Sequence, residues 1–307
     1  MTGGSSRVLR FVQVDVFTDT LFGGNPLAVF LDGQGVSDRE MQAIAREMNL
    51  SETTFVLPAE RAEVSAVVRI FTPYRELPFA GHPTIGTAWT LLSEGMVDGS
   101  SGRIVLGEDI GPVPVRFEGD AADPSFLWMD QSVARFETPT IATSELAYAL
   151  GLSAADLIPE LPIELGTTGV PFLYVPLGDP AAVDRVEVRV AELRACVAKA
   201  GVESLGVVIF APAAAVNEVY TRMLAPGGGG VLEDPATGSA SGPLGAYLVR
   251  HRLAIGEGVV EMLSRQGVAM GRPSEVHIRV ELEAGQAGRV EVGGRVVPVL
   301  RGELCLP

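Results

Sequence analysis

The chain has 307 residues, 47% hydrophobic and 20% charged, a globular composition with apolar material for two cores of ordinary size. Its formal charge of −15, with no run of Lys or Arg, argues against nucleic acid as a partner. No apolar stretch reaches the ~18–20 residues that span a bilayer, and the start lacks the basic and apolar blocks of a signal peptide.

In chain order, Met1 to Ser6 read as a flexible leader, and Arg10–Phe17 alternates polar and apolar positions as a strand does. Phe22-Gly23-Gly24-Asn25-Pro26 is predicted as a turn, with Leu27–Leu31 returning as a second strand. Asn25 is either a turn former or an amide that faces a substrate carboxylate. Ser37-Asp38-Arg39-Glu40 is a capping box, and Met41, Ile44, Ala45 and Met48 give its helix a buried stripe that should end near Asn49. Leu50 to Val56 then forms a polar knot entering a strand. Glu52 stands at that handover, beside apolar Leu50 and Phe55. A neighbourhood that closed over it would raise its pKa toward that of a usable general base, while an open one leaves a solvated strand-edge Glu.

Val64–Phe71 is predicted as a strand leading to Glu76-Leu77-Pro78-Phe79-Ala80-Gly81-His82-Pro83-Thr84. Pro fixes φ and Gly admits φ > 0, so this is a rigid turn, with Pro83 suited to a first helical position and His82 a poor cap. Ile85, Ala88, Trp89 and Leu92 then fall on one helical face. Strands follow at Ile104–Leu106, Val113–Phe117 and Phe126–Met129, and a second half begins near Gln131. It carries helical patterns at Ser144–Leu150, Ser153–Leu157 and Val190–Ala200, and strands at Phe172–Pro176, Val207–Phe210 and Glu218–Met223. Gly227–Gly230 is a flexible loop without the Gly-Lys-Ser/Thr of a phosphate cradle.

Glu233-Asp234-Pro235-Ala236-Thr237-Gly238-Ser239 then repeats the earlier turn, E-x-P-x-x-G, about half the chain later. Arg222 to Pro226 answers to Arg69 to Pro73. Ser239 suits a helix cap, and Ala240, Leu244, Tyr247 and Leu248 share a face after it. Each turn opens a helix whose free N–H groups suit an anion such as a carboxylate. Strands at Val259–Leu263, Val276–Glu281 and Val290–Val299 close the chain, with Gly293-Gly294 predicted as a hairpin turn. A repeat at half length predicts a duplicated domain, each copy having many strands around one apolar helix rather than the β-α alternation of a Rossmann sheet.

Cofactor chemistry is narrowed by what is scarce. Cys196 and Cys305 lie in apolar segments away from both turns and read as buried inert thiols, which fits a reducing cytoplasm. His82, His251 and His277 share no ligand spacing, so no metal is expected. Lys199, the only lysine, lies in a surface-helix pattern, which removes a pyridoxal Schiff base and a P-loop lysine. No cofactor is expected.

Five blocks in order, F-G-G-N-P-L-A-V (Phe22–Val29), S-E-T-T-F-V (Ser51–Val56), R-I-F-T-P-Y-R-E-L-P-F-A-G-H-P-T-I-G (Arg69–Gly86), E-D-P-A-T-G-S-A (Glu233–Ala240) and Q-G-V-A-M-G-R-P-S (Gln266–Ser274), resemble the phenazine-biosynthesis PhzF-like isomerases, relatives of diaminopimelate epimerase. The resemblance implies an α+β fold of two pseudo-symmetric domains, at 1–130 and 131–307 with the last strand free to return to the first. Each would be a curved β-barrel around a central helix, with the site in the cleft between them. It places the catalytic carboxylate on Glu52, with His82, Asp234 and Ser239 in support. Asn25, Gly81, Thr237 and Gly238 are the expected substrate-binding positions, the two glycines shaping the turns. The related epimerases carry a cysteine at each turn motif, and here neither turn holds one. The expectation is therefore a cofactor-independent isomerase moving a proton between carbons of a small carboxylated substrate, in a cytoplasmic homodimer. Two alternatives use the same residues: a Ser239 hydrolase with His82 and Asp234, and a non-catalytic acid-binding or scaffold protein. Gln266 and Arg272 read as structural.

Overall fold

Residues 7–59, 61–201, 206–227 and 232–306 are described by the computed structural model, so the leader at 1–6 and the glycines at 228–230 lie outside the described residues. The fold is mixed α+β, and the chain divides into two units, one running to Met129 and resuming at Gly293, the other Asp130–Val292. No helix among the described residues is long and apolar enough to cross a membrane.

In the first unit β1 (Arg7–Val16) pairs antiparallel with β2 (Asn25–Phe30). Helix α1 (Asp38–Met48) then carries the chain to β3 (Glu52–Leu57), parallel to β2. The capping box forms as expected, Ser37 and Glu40 bonding each other's backbone, and Asn49 ends α1 in the left-handed conformation at φ 51°. Strand β4 (Ala66–Phe71) runs antiparallel to β3 and to the short β5 (Glu76–Leu77). Helix α2 (Gly81–Ser93) follows, and β6 (Arg103–Glu108) returns parallel to β4. Strands β7 (Gly111–Asp120) and β8 (Asp123–Gln131) complete an antiparallel meander. Beneath α1 the Phe30 and Phe55 rings stack at 5.0 Å, and Phe71 meets Phe55 edge-on at 5.6 Å.

The second unit opens with β9 (Arg135–Glu137), α3 (Thr143–Ala149) and a 3₁₀ turn at Ala154–Asp156. Strands β10 (Glu164–Thr167) and β11 (Pro171–Pro176) precede helices α4 (Pro180–Asp184) and α5 (Val190–Ala198). Then come β12 (Gly206–Pro212), β13 (Glu218–Leu224), β14 (Glu233–Asp234) and α6 (Gly238–Arg250). Strands β15 (Val259–Gln266), β16 (Ser274–Glu283) and β17 (Gln286–Gly294) end the unit, and β18 (Val296–Leu306) lies antiparallel along β1. From β10 to β16 the pairings run antiparallel, parallel, antiparallel, antiparallel, parallel, antiparallel. The run from β1 to β7 has the same succession. The sequence repeat thus corresponds to a repeated connectivity.

Helix α2 is buried from Gly81 to Leu92, on every side rather than on one face. Its buried hydroxyls are satisfied locally, Thr87 pairing with Thr54 at 2.9 Å and Thr90 donating to the Gly86 carbonyl at 2.8 Å. Ala240, Leu244, Tyr247 and Leu248 of α6 are buried as expected. The helix starts differ from the sequence reading. Helix α2 begins at Gly81 with Ala80 as N-cap, and α6 begins at Gly238 with Thr237 as N-cap, so Ser239 is the second helical residue and caps nothing. Asn25 likewise belongs to β2, opposite Val16, and not to the turn. The turn stops at Gly24, at φ +59°, where a Cβ would stand 2.3 Å from the Val16 carbonyl oxygen.

Gly293 and Gly294 lie in β17 and form no hairpin turn. Gly293 is there for close approach: a Cβ would fall 2.4 Å from the Leu127 carbonyl oxygen and against the Trp128 ring. Cys196 is buried, which pushes its thiol up, but Cys305 is exposed, since strand alternation near the end of β18 turns it outward.

Candidate active site

The two copies of the turn are built by the same device. In β4 and β5 the Arg69 guanidinium forks onto Glu76, both bonds 2.7 Å, and donates a third to Asp38 at 2.6 Å. In β13 and β14 Arg222 forks onto Glu233 at 2.9 and 2.8 Å and gives its remaining nitrogen to the Val183 and Val186 carbonyls. Each pair closes the strand that leads into its helix, and bidentate geometry fixes direction as well as distance.

Both helices then start without a side-chain cap. Ala80 has no oxygen to offer, and the Thr237 hydroxyl turns away to donate to Asp234 Oδ2. A missing cap costs about 0.5–2 kcal/mol, and what it leaves is a first turn with N–H groups and a positive dipole end for an anion.

In the first unit three sequence-predicted residues come together. Asn25 opens β2 fully buried, Glu52 opens the neighbouring β3, and His82 is the second residue of α2 at 4% exposure. Asn25 Nδ2 lies 3.1 Å from His82 Nδ1, and His82 Nε2 lies 3.4 Å from Glu52 Oε2. The parallel register that sets Leu27 beside Glu52 brings the starts of β2 and β3 level. The Glu52 side chain is 16% exposed, so it points into the cluster rather than into bulk water. Burial pushes the imidazole down to about 3, which keeps His82 neutral at ordinary pH.

In the second unit Asp234, Thr237 and Gly238 come together around two glutamines. Gln266 Nε2 donates to the Asp234 carbonyl at 2.8 Å and to Thr237 Oγ1 at 3.1 Å, while its Oε1 accepts from the Thr237 N–H at 3.2 Å. Gln131 Nε2 donates to the Gly238 carbonyl at 2.9 Å, and its Oε1 accepts from Thr168 at 2.7 Å. Ser239 is half-buried, and its hydroxyl has no partner among the described residues. Gln266 braces the turn, in keeping with its reading as structural, whereas Gln131 was not singled out. Gln266 shows a signal, since it sits in the Gln-Gly pair of a motif block; Gln131 shows none.

In the first unit a carboxylate able to exchange a proton stands beside a neutral imidazole, and in each unit an uncapped helix start suits a negatively charged group. The chain matches the model of the PhzC-PhzF family, phenazine biosynthesis-like protein, over residues 14–302 and belongs to that family. The chain is 38% identical to a trans-2,3-dihydro-3-hydroxyanthranilate isomerase of Pseudomonas chlororaphis over 298 residues, 97% of this chain and 99% of the relative. It is similar to the crystal structure of a Bacillus anthracis PhzF-family phenazine biosynthesis protein, with TM-score 0.88 and 25% identity, covering 98% of this chain and 100% of that one. A predicted epimerase of Pseudomonas aeruginosa gives TM-score 0.79 at 32% identity, covering 96% of this chain and 99% of that chain.

Proposed function

This chain belongs to the PhzC-PhzF family and is one of its isomerases, and from that premise we propose that it shifts a proton between carbons of a small carboxylated substrate, with Glu52 as the acid–base group. The observation that carries the assignment is the pairing of Glu52 with a buried His82 that stays neutral. Burial disfavours the protonated ring, which makes the neighbouring carboxylate the better carrier of a proton from carbon and back. His82 Nδ1 faces the Asn25 amide and Nε2 faces Glu52, so the ring lies beside the carboxylate's proton traffic.

Glu52 takes a C–H proton as base, the electron pair spreads into the conjugated skeleton, and the same carboxyl returns the proton to another carbon. In the first unit the opening turn of α2 holds a carboxylate or enolate oxygen; in the second unit the opening turn of α6 and the Ser239 hydroxyl suit an anion, and Asp234 can accept from a polar hydrogen. Each unit serves as one copy of a duplicated half, its strands curled around a central helix. The substrate is a small cyclic carboxylic acid, and trans-2,3-dihydro-3-hydroxyanthranilate, named for the relative, is the first candidate. A hydrolase built on Ser239 is not supported: Asp234 is engaged by Thr237, and both His82 nitrogens face Asn25 and Glu52.

The test is incubation with that acid and a panel of cyclic dienoic acids in D₂O, followed by NMR. Double-bond migration or deuterium at carbon, lost in Glu52→Gln, supports the reading. Binding without exchange of any carbon-bound proton would sink it.

A further inference from the structure

Strand alternation puts Ile104, Leu106 and Glu108 on the inward face of β6, so a carboxyl occupies what the pattern marks as a core position. Glu108 is 7% exposed. Its Oε1 lies 2.6 Å from Thr84 Oγ1, and its Oε2 has no hydrogen-bond partner among the described residues. Thr84 Oγ1 also lies 2.8 Å from the carbonyl oxygen of Ala80, the N-cap of α2.

A threonine hydroxyl has one hydrogen, and here it faces two acceptors if Glu108 is ionised. If the hydrogen goes to Glu108, the Ala80 carbonyl keeps only the Thr84 N–H at 3.2 Å, and a buried carboxylate oxygen is orphaned besides. If Glu108 is protonated everything closes: its O–H donates to Thr84 Oγ1, Thr84 donates to the Ala80 carbonyl, and Oε2 is a neutral carbonyl oxygen. The charged groups lining the adjoining cavity, about 390 Å³, are Arg61, Arg69, Glu76 and Asp109. Arg69 is taken up by Glu76 and Asp38. Burial accordingly pushes the Glu108 carboxyl up to about 8, and the Thr84 bond offsets this only in part.

We propose that Glu108 is a positioning residue for the active site: its proton decides whether the Thr84 hydroxyl holds the Ala80 carbonyl, and so sets the first turn of α2, which carries His82. This deepens the reading above, on which it rests for the role of His82. Loss of the proton draws the Thr84 hydrogen to Glu108 and leaves the start of the helix held at Ala80 by the Thr84 N–H alone.

NMR of the substrate-free protein from pH 6 to 9.5 tests the link without reference to activity, following the Thr84 amide and the His82 ring signals. The wild type should inflect near 8 at both. Glu108→Gln, whose amide also donates to Thr84, should keep the low-pH positions and lose the inflection. Thr84→Val keeps the acid but not the hydroxyl, so the His82 signals should stop responding. In kinetics, kcat should fall about one decade per pH unit above the inflection in wild type and not in Glu108→Gln. A wild type without an inflection, or an inflection surviving in Glu108→Gln or at the His82 ring in Thr84→Val, would overturn the proposal. Failure of the isomerase reading alone would leave the NMR result standing.

Discussion

Glu52 Oε2 stands 3.4 Å from His82 Nε2, joining the first residue of a strand to the first turn of a helix that is buried on every side. The contact is longer than a strong ion pair, and the ring is held neutral by burial. On the proposed reading Glu52 is the proton carrier and His82 its polar neighbour.

Replacing Glu52 by Gln keeps size and polarity but removes the base. The expected loss in kcat is about 10²–10⁴-fold, with KM changed far less. Deuterium incorporation from D₂O should fall in step with turnover. Turnover within a few-fold of wild type would give the base to another residue.

Stability should respond to pH in opposite senses at two buried groups. Above about 6.5 His82 is neutral in both states; as pH falls toward 3 the unfolded chain takes up a proton that the folded chain refuses, so stability is lost. Glu108 keeps its proton to about 8 when folded and loses it near 4.5 when unfolded, so its contribution declines as pH rises through that window. Each span corresponds to at most about 5 kcal/mol at 1.36 kcal/mol per pH unit. Urea midpoints against pH should show the alkaline decline flattened in Glu108→Gln and the acid decline flattened in His82→Gln.

The twin Arg–Glu forks should not be equally valuable. Arg222 is 11% exposed and also serves two backbone carbonyls, so Arg222→Met should cost about 3 kcal/mol by leaving a half-buried carboxylate and those carbonyls unpaired. The Arg69–Glu76 pair is wetter, at 24% and 43% exposed, and Arg69→Met should cost about 1 kcal/mol. Chemical denaturation of the two variants decides; equal costs would mean the carbonyl bonds contribute nothing.

Gln266→Ala should leave the Thr237 N–H and the Asp234 carbonyl without their partner, costing about 1–3 kcal/mol. Because Asp234 loses its placement, kcat should drop in protein that remains folded at the assay temperature. A stability loss with unchanged kcat would make Gln266 purely structural.

The sequence by itself determined the repeated turn, the strand-rich halves and the capping box at Ser37. Those features are local, because Pro, Gly, cap residues and apolar spacing act on the backbone within a few positions. The Ser239 cap assignment failed for a reason that is not local: Asp234 and Gln266, the latter 29 residues beyond Thr237, hold the Thr237 hydroxyl, and the helix starts two residues earlier than its best capping residue suggests. Burial of α2 on all sides was also illegible, since Gly86, Thr87 and Thr90 read as a polar face until Thr54 and the helix's own carbonyl are seen to satisfy them. Only the tertiary structure decided that His82 is neutral and that Glu108 is a core acid. A side chain's charge depends on the dielectric and partners that distant strands bring to it, and neither is written in its neighbours along the chain.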